Sequence, residues 1–343
     1  MPKVSVLMSN YNTQANQLRI ALDSVLNQTF TDFEAVIVND GSVDESKKVL
    51  EEYAAKDARI VLVENERNIG LAASLNHGLD VCKGEYVARM DTDDICYPDR
   101  LKWQVEYMDE HKNLLFAGAW ADVFEDDTEN VVETWKPVMC TQDEYHIRLL
   151  FGNNPLMIHP TVIFRREYLE KNCLRYDTDA AYKYAEDYRM WVKCSRAGDA
   201  GILEKPVIKY RNANSKDRIT VRHAEGMRQC NKNNQAEQLK ALDIELTDEW
   251  FKYHFRLLSG RKDYDIKYKE WINLIIKQNR KKRIYNQKLL KRILHDRWYT
   301  ITYYGIAYEN AVIKRLRLFA GLYTDGKLRF AGEILAKVFR GKR

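Results

Sequence analysis

The stretch Glu85-Tyr-Val-Ala-Arg-Met-Asp-Thr-Asp-Asp94 ends in three carboxylates within four residues. Acids so close repel one another unless a cation joins them or the chain turns them apart. Mg2+ answers the first need, taking one or two protein carboxylates while substrate phosphates fill the rest of its shell. In Asp91-Thr-Asp93 the two aspartates can share a face, because alternate residues of an extended segment point the same way. An acidic turn that caps a helix starting near Pro98 would use the same residues. Glu85 to Met90 reads as a short strand between Gly84 and Pro98. In an open parallel sheet, ligands bind beyond the carboxyl ends of such strands.

The elements around this stretch follow an alternating pattern. Val4–Met8 reads as a buried strand, followed by a helix over 16–27 with Leu18, Ala21, Leu22, Val25 and Leu26 on one face. Phe33–Val38 is the next strand, and Asp44 reads as the N-cap of a helix to about Ala55. Ile60–Val63 is a third strand, Asn68-Ile-Gly70 opens a helix to about Val81, and Pro98 opens another through His111. After a strand over Leu114–Ala119, the acidic, polar 122–142 reads as a hairpin or excursion. A helix over Tyr145–Phe151 and a β-branched strand over Thr161–Phe164 come next. A helix over 184–196 bearing Glu186-Asp187 and a strand over Ile202–Tyr210 complete this half. Strands alternating with helices predict an α/β chain with βαβ units and a mostly parallel, Rossmann-like sheet.

Beyond Arg218 every segment looks helical, near 221–241, 247–259, 266–278, 284–297 and 326–339. The expected division is a domain over 1–217, with halves at about 1–112 and 113–217, followed by a helical region over 218–343. The net charge of +5 is unevenly spread: Phe251–Arg343 holds 24 Lys and Arg against 7 Asp and Glu, leaving 31 against 43 elsewhere. Basic amphipathic helices of this kind suit an anionic membrane surface, and a solvated face packed on the rest of the chain explains them equally well. No nucleic-acid reader motif accompanies the charge, so nucleic acid is not an expected partner. Six dispersed cysteines without Cys-x-x-Cys suit a reducing compartment. With no signal-like segment and no apolar run of spanning length, the expected location is cytoplasmic, extending to peripheral contact with the inner membrane face.

The usual nucleotide loops are missing. Neither Gly-x-Gly-x-x-Gly after the first strand nor Gly-x-x-x-x-Gly-Lys-Ser/Thr occurs, and Gly-x-Ser-x-Gly is absent as well. Polar residues instead follow each strand: Ser9-Asn10-Tyr11-Asn12, Asn39-Asp40, Arg67-Asn68 and the acidic triplet. In a parallel sheet all four meet at one edge. An aromatic ring for a base, a carboxylate for a base N–H and a cation for a diphosphate would make that edge a nucleotide site. Singly, Tyr11 also reads as a packed loop aromatic, Asp40 as a turn residue before Gly41, and Arg67 as a solvated charge.

Taken in order, Pro2–Asn12, Ser24–Phe30, Val38–Asp44, Arg67–Gly70, Gly84–Val87, Asp91–Asp94, Pro98–Arg100 and Glu186-Asp187 resemble the motif series of the family 2 inverting glycosyltransferases. The resemblance covers about residues 2 to 211 and implies the GT-A fold, a nucleotide-diphospho-sugar donor (usually a UDP-sugar) and Mn2+ or Mg2+. It implies that Tyr11 flanks the base and Asp40 contacts the uracil. Asp91 would lie near ribose and metal, and Asp93 would bind the metal bridging the diphosphate. Ser9 and Arg67 belong to the same donor edge.

Inverting transfer also needs a base to deprotonate the acceptor hydroxyl. Asp187 resembles the family's base, with Glu186 about 100° away around the helix. First-turn acids favoured by the helix dipole are the bland reading of that pair. Many relatives carry a His after the catalytic helix. Here Tyr210-Arg-Asn-Ala-Asn-Ser215 has none, leaving Arg211 as a candidate phosphate contact. His159 is a candidate on the acceptor side, or a packed loop histidine. The expected reaction is sugar transfer to a glycan or lipid-linked acceptor in cell-surface polysaccharide assembly. The alternatives are a sugar-phosphate nucleotidyltransferase, which wants a Gly-rich loop that Ser9–Thr13 lacks, and a degenerate binding subunit.

Overall fold

A computed structural model of the chain describes residues 1–125, 130–152, 157–212, 223–257 and 265–308. Two compact units are present: Met1–Leu149 with Asn154–Asn234, and Leu150–Asn153 with Gln235–Arg343. The division falls inside a helix over Ala224–Lys240. The boundary expected near 217 and the helix expected over 326–339 lie outside the described residues.

The first unit opens with β1 (Val4–Asn10), α1 (Ala15–Leu26), β2 (Phe33–Asn39), α2 (Ser46–Lys56), β3 (Ile60–Glu64), α3 (Leu71–Val81) and β4 (Tyr86–Asp91). β5 (Ile95–Cys96), α4 (Arg100–Glu110), β6 (Leu114–Glu125), β7 (Val131–Trp135) and α5 (Gln142–Leu150) follow. β8 (Ile163–Arg165), α6 (Arg166–Lys171), α7 (Glu186–Ala197), β9 (Asp199–Asn212) and α8 (Ala224–Lys240) complete the series. One nine-stranded sheet runs β3-β2-β1-β4-β8-β6-β9-β5, with β7 on β6. β3, β2, β1 and β4 are parallel. β8 runs antiparallel to β4 and β6, and β9 is again parallel to β6.

Local sequence explains these choices. β1 and β2 are buried almost throughout, as expected where helices cover both faces of a parallel sheet. α1 buries Leu18, Ala21, Leu22 and Val25 at helical spacing. Gly84 is required where β4 begins: a Cβ there would lie 2.4 Å from the Ser5 nitrogen of β1. On the other side of the sheet Phe116 stacks on Trp191 of α7, with centroids 5.7 Å apart and planes within 6°.

Several elements differ from the sequence expectation. β6 continues to Glu125, because its outer half pairs with β7 in a hairpin. His159–Thr161 is a 3-10 turn, with Pro160 near its start and the Thr161 hydroxyl bonded to the Ile158 carbonyl at 2.8 Å. The strand therefore starts only at Ile163. Asp44 stands one residue outside the cap of α2, where its carboxylate accepts from the Ser46 N–H at 3.0 Å.

The second unit contains α9 (Asp248–Arg256), α10 (Lys267–Lys282) and α11 (Gln287–Tyr308). His254 is buried, with Nε2 against the Leu150 carbonyl at 2.8 Å and Nδ1 against Trp271 Nε1 at 3.1 Å. Burial pushes its pKa down to about 4, so it serves as a neutral packing group. No described helix is long and apolar enough to cross a membrane.

Candidate active site

The parallel registers put the predicted strand-end residues on one edge. Asn10 pairs with Asn39, Asn39 with Glu64, and Ser9 with Asp91. Ser9 therefore stands beside the first acid of the triplet. Tyr11, just past β1, is 50% exposed, and Arg67 is exposed on the loop after β3. Gly41, at φ +68°, packs against the backbone of Arg67 and Asn68, so the second and third loops touch.

Asp40 turns inward. It is 2% exposed, and its Oδ1 accepts from Asn65 Nδ2 at 2.9 Å and from the Ile69 N–H at 2.8 Å. Its Oδ2 accepts from the Gly70 N–H at 2.9 Å. These bonds tie the end of β2 to the start of α3.

The triplet is arranged differently. Asp91, Asp93 and Asp94 can each present a carboxylate oxygen such that all three lie within 4.8 Å of one another. Burial, and then Asp91, pushes Asp93 up to about 6. Burial, then Asp93 and Asp91, holds Asp94 well above the usual carboxylate range. Asp94 accepts from the Arg211 N–H at 2.9 Å, while its buried Oδ2 has no partner among the described residues. Arg211 Nε donates to the Asp93 carbonyl at 2.7 Å, and its guanidinium lies over the Phe124 ring at 4.6 Å. Three convergent carboxylate donors, two of them raised by burial and by their acidic neighbours and one with an unpartnered oxygen, fit a hard divalent cation. Asp94 joins Asp91 and Asp93 in this set; the acid triplet in the sequence was its signal.

Arg89 joins this cluster to the second acidic site. It is 2% exposed, and its Nη2 lies 2.5 Å from Asp91 Oδ1. Nε and Nη1 have no partner among the described residues. Its charge acts on Glu186 and Asp187 at the start of α7, as does that of Asp91. Burial and then Asp187 push Glu186 up to about 7. Asp187 is raised by burial, opposed by the Tyr188 N–H (2.6 Å) and by Arg89. Residues 91 and 187, nearly a hundred positions apart, thus share one electrostatic environment. Arg89 was missed in the sequence, although it stands two residues before Asp91 on the same strand, where side chains share a face.

His159 faces the same region in a packed setting. Its Nε2 lies 2.8 Å from the Tyr176 hydroxyl, and its ring meets the Trp191 edge at 5.7 Å. Burial, and then Arg89, drives its pKa well down, so the imidazole is neutral.

A mixed sheet with carboxylates gathered at its parallel strand ends, and further acids entering from a later helix, defines the GT-A class of fold. The chain belongs to glycosyl transferase family 2, whose family model matches residues 5–173. It is 34% identical over 216 residues to an uncharacterized glycosyltransferase of Methanocaldococcus jannaschii, a match covering 62% of this chain and 72% of that one. It is likewise 34% identical over 195 residues to the amylovoran biosynthesis glycosyltransferase AmsE of Erwinia amylovora, covering 57% and 70%. Among solved structures, S. aureus TarS 1–349 superposes with a TM-score of 0.52 at 20% identity, over 89% of this chain and 91% of that one. The same TarS segment has been crystallised with UDP-GlcNAc, and that structure matches with a TM-score of 0.52 at 19% identity over 89% and 91%.

Proposed function

We propose that this chain is a metal-dependent inverting glycosyltransferase that moves a sugar from a UDP-sugar to a hydroxyl of a glycan or lipid-linked saccharide. The reading places it in cell-surface polysaccharide assembly; its relative AmsE is named for amylovoran biosynthesis. One observation carries it: the Asp91–Asp93–Asp94 cluster and the Glu186–Asp187 pair lie within electrostatic reach of each other, with Arg89 acting on both.

In this mechanism the Asp187 carboxylate takes the proton of the acceptor hydroxyl as that oxygen bonds to the anomeric carbon. The bond from that carbon to the diphosphate oxygen breaks on the opposite face, and its electron pair leaves with UDP. Mn2+ or Mg2+ held by Asp91, Asp93 and Asp94 would supply positive charge at the departing diphosphate. Arg89 keeps a positive charge beside Asp187 and so favours the ionised base. Arg211 holds the acidic loop in place. Tyr11 offers an open ring to the base, with Ser9 and Arg67 on the same donor edge. Asp40 has already committed three acceptor bonds, so contact with the uracil would use the remaining position on Oδ2. His159, neutral and bonded to Tyr176, shapes the acceptor side. The exposed basic end of α10, Arg280 to Arg283, would meet anionic headgroups at the cytoplasmic face of a membrane, each charge contributing about 1 kcal/mol.

Asp187→Asn tests the assignment. Transfer should fall by roughly 10²- to 10⁴-fold, while UDP with Mn2+ still raises the melting temperature. Near-normal transfer by this variant would remove Asp187 from the mechanism.

A further inference from the structure

The hairpin beside the acidic cluster carries aromatic rings that neither the cation, the nucleotide nor the base requires. Arg211 clamps the loop of Asp93 and Asp94 through two hydrogen bonds, at 2.7 and 2.9 Å. The residue before it, Tyr210, is half-buried and close enough to feel the charges of Asp91, Asp93, Asp94 and Arg89. Trp135 of β7 packs on Tyr210 with ring centroids 5.0 Å apart and planes tilted by 40°. Its indole N–H donates to Glu133 at 3.1 Å, which fixes the ring's orientation. Deeper in the hairpin, Trp120 lies under the Lys136 ammonium at 5.0 Å, and its buried Nε1 has no partner among the described residues.

Two half-buried rings beside a charged cluster offer a ligand of matching character an apolar face with polar groups at its edge. A pyranose matches: one face presents C–H groups, and its rim presents hydroxyls. Tyrosine and tryptophan suit such a surface because they pair an apolar body with a polar tip. A donor sugar is already tethered through its diphosphate. An uncharged acceptor has no such tether and needs a surface of its own. We infer that Trp135 and Tyr210 form the acceptor subsite, with the acceptor's terminal pyranose stacked on Trp135 and its reacting hydroxyl directed past the acidic cluster toward the Asp187 carboxylate. This inference rests on the glycosyltransferase reading and adds the residues that select the acceptor.

The test uses the full chain with UDP-sugars as donors and a panel of p-nitrophenyl glucosides, galactosides, mannosides and N-acetylglucosaminides as acceptors. Trp135→Ala should raise the acceptor KM about tenfold and Trp135→Phe about threefold, the range expected for losing or trimming one ring contact. Donor KM and the thermal shift produced by UDP should match those of the parent, which also shows that the variants fold. An unchanged acceptor KM would overturn the inference. So would a parallel rise in donor KM, or transfer to no glycoside by a parent protein that UDP stabilises. A parent that UDP with Mn2+ fails to stabilise would instead bring down the underlying reading, and this one with it.

Discussion

Asp40 and Asp94 are both buried aspartates at the carboxyl edge of one sheet, and the protein treats them in opposite ways. Asp40 accepts three hydrogen bonds from Asn65, Ile69 and Gly70. Asp94 has one bonded oxygen and one without a partner, and it stands beside two further acids that raise its pKa. A buried carboxylate that has its donors is part of the scaffold. One left short of them, among like charges, is suited to sharing a cation. The contrast separates an aspartate whose oxygens are largely committed to the sheet edge from one left with an open oxygen, although in sequence both are short acidic turns after a mostly apolar strand.

Asp93→Asn should have the largest effect. Removing one ligand charge from the cluster should abolish the Mn2+-induced thermal shift and lower transfer by about 10³-fold, since a bound cation contributes several kcal/mol at a developing phosphate charge. If the variant kept both, the cluster would be as structural as Asp40. Asp40→Ala should affect stability instead. It leaves the buried Asn65 amide and two backbone N–H groups short of partners, which should cost about 2–4 kcal/mol in urea unfolding. Unfolding indistinguishable from the parent would erase the contrast from the other side.

The parallel half of the sheet was legible because its strands are rich in buried apolar residues and its helices show clean 3.6-residue spacing, as in α1. The second half was harder. β5 has only two residues, too few for any periodicity, and is defined by its pairing with Lys209 and Ile208. α6 has only six residues and one buried side chain, Leu169, so it carries no stripe to read. Among site residues, the acids announced themselves by clustering. The inward turn of Asp40 did not, because it depends on donors 25 to 30 residues away. Tyr210 and Trp135 meet only because β6 pairs with both β7 and β9 and so places them one strand apart, an arrangement that one-dimensional spacing does not encode.

The smallest effect is also the most selective, because its sign is unusual. Burial and Asp91 push Asp93 up to about 6, against about 3.9 in an unfolded chain. Between those values the folded state binds more protons than the unfolded one, so this group's penalty is full above pH 6 and is relieved as the pH falls toward 4. Buried neutral histidines act in the opposite direction: His146 and His254 are pushed down to about 4 by burial, and burial with Arg89 holds His159 well below the usual imidazole range. Acidification alone would therefore mix two opposing trends. The histidines are common to parent and Asp93→Asn, so the difference between the two proteins isolates the cluster. With EDTA present, Asp93→Asn should be the more stable by on the order of 1–2 kcal/mol at pH 7.5. That advantage should shrink steadily toward pH 5, and Mn2+ should reverse it at neutral pH by stabilising only the parent. A difference independent of pH would mean that Asp93 is as comfortable as Asp40, and that the sheet edge holds one kind of aspartate rather than two.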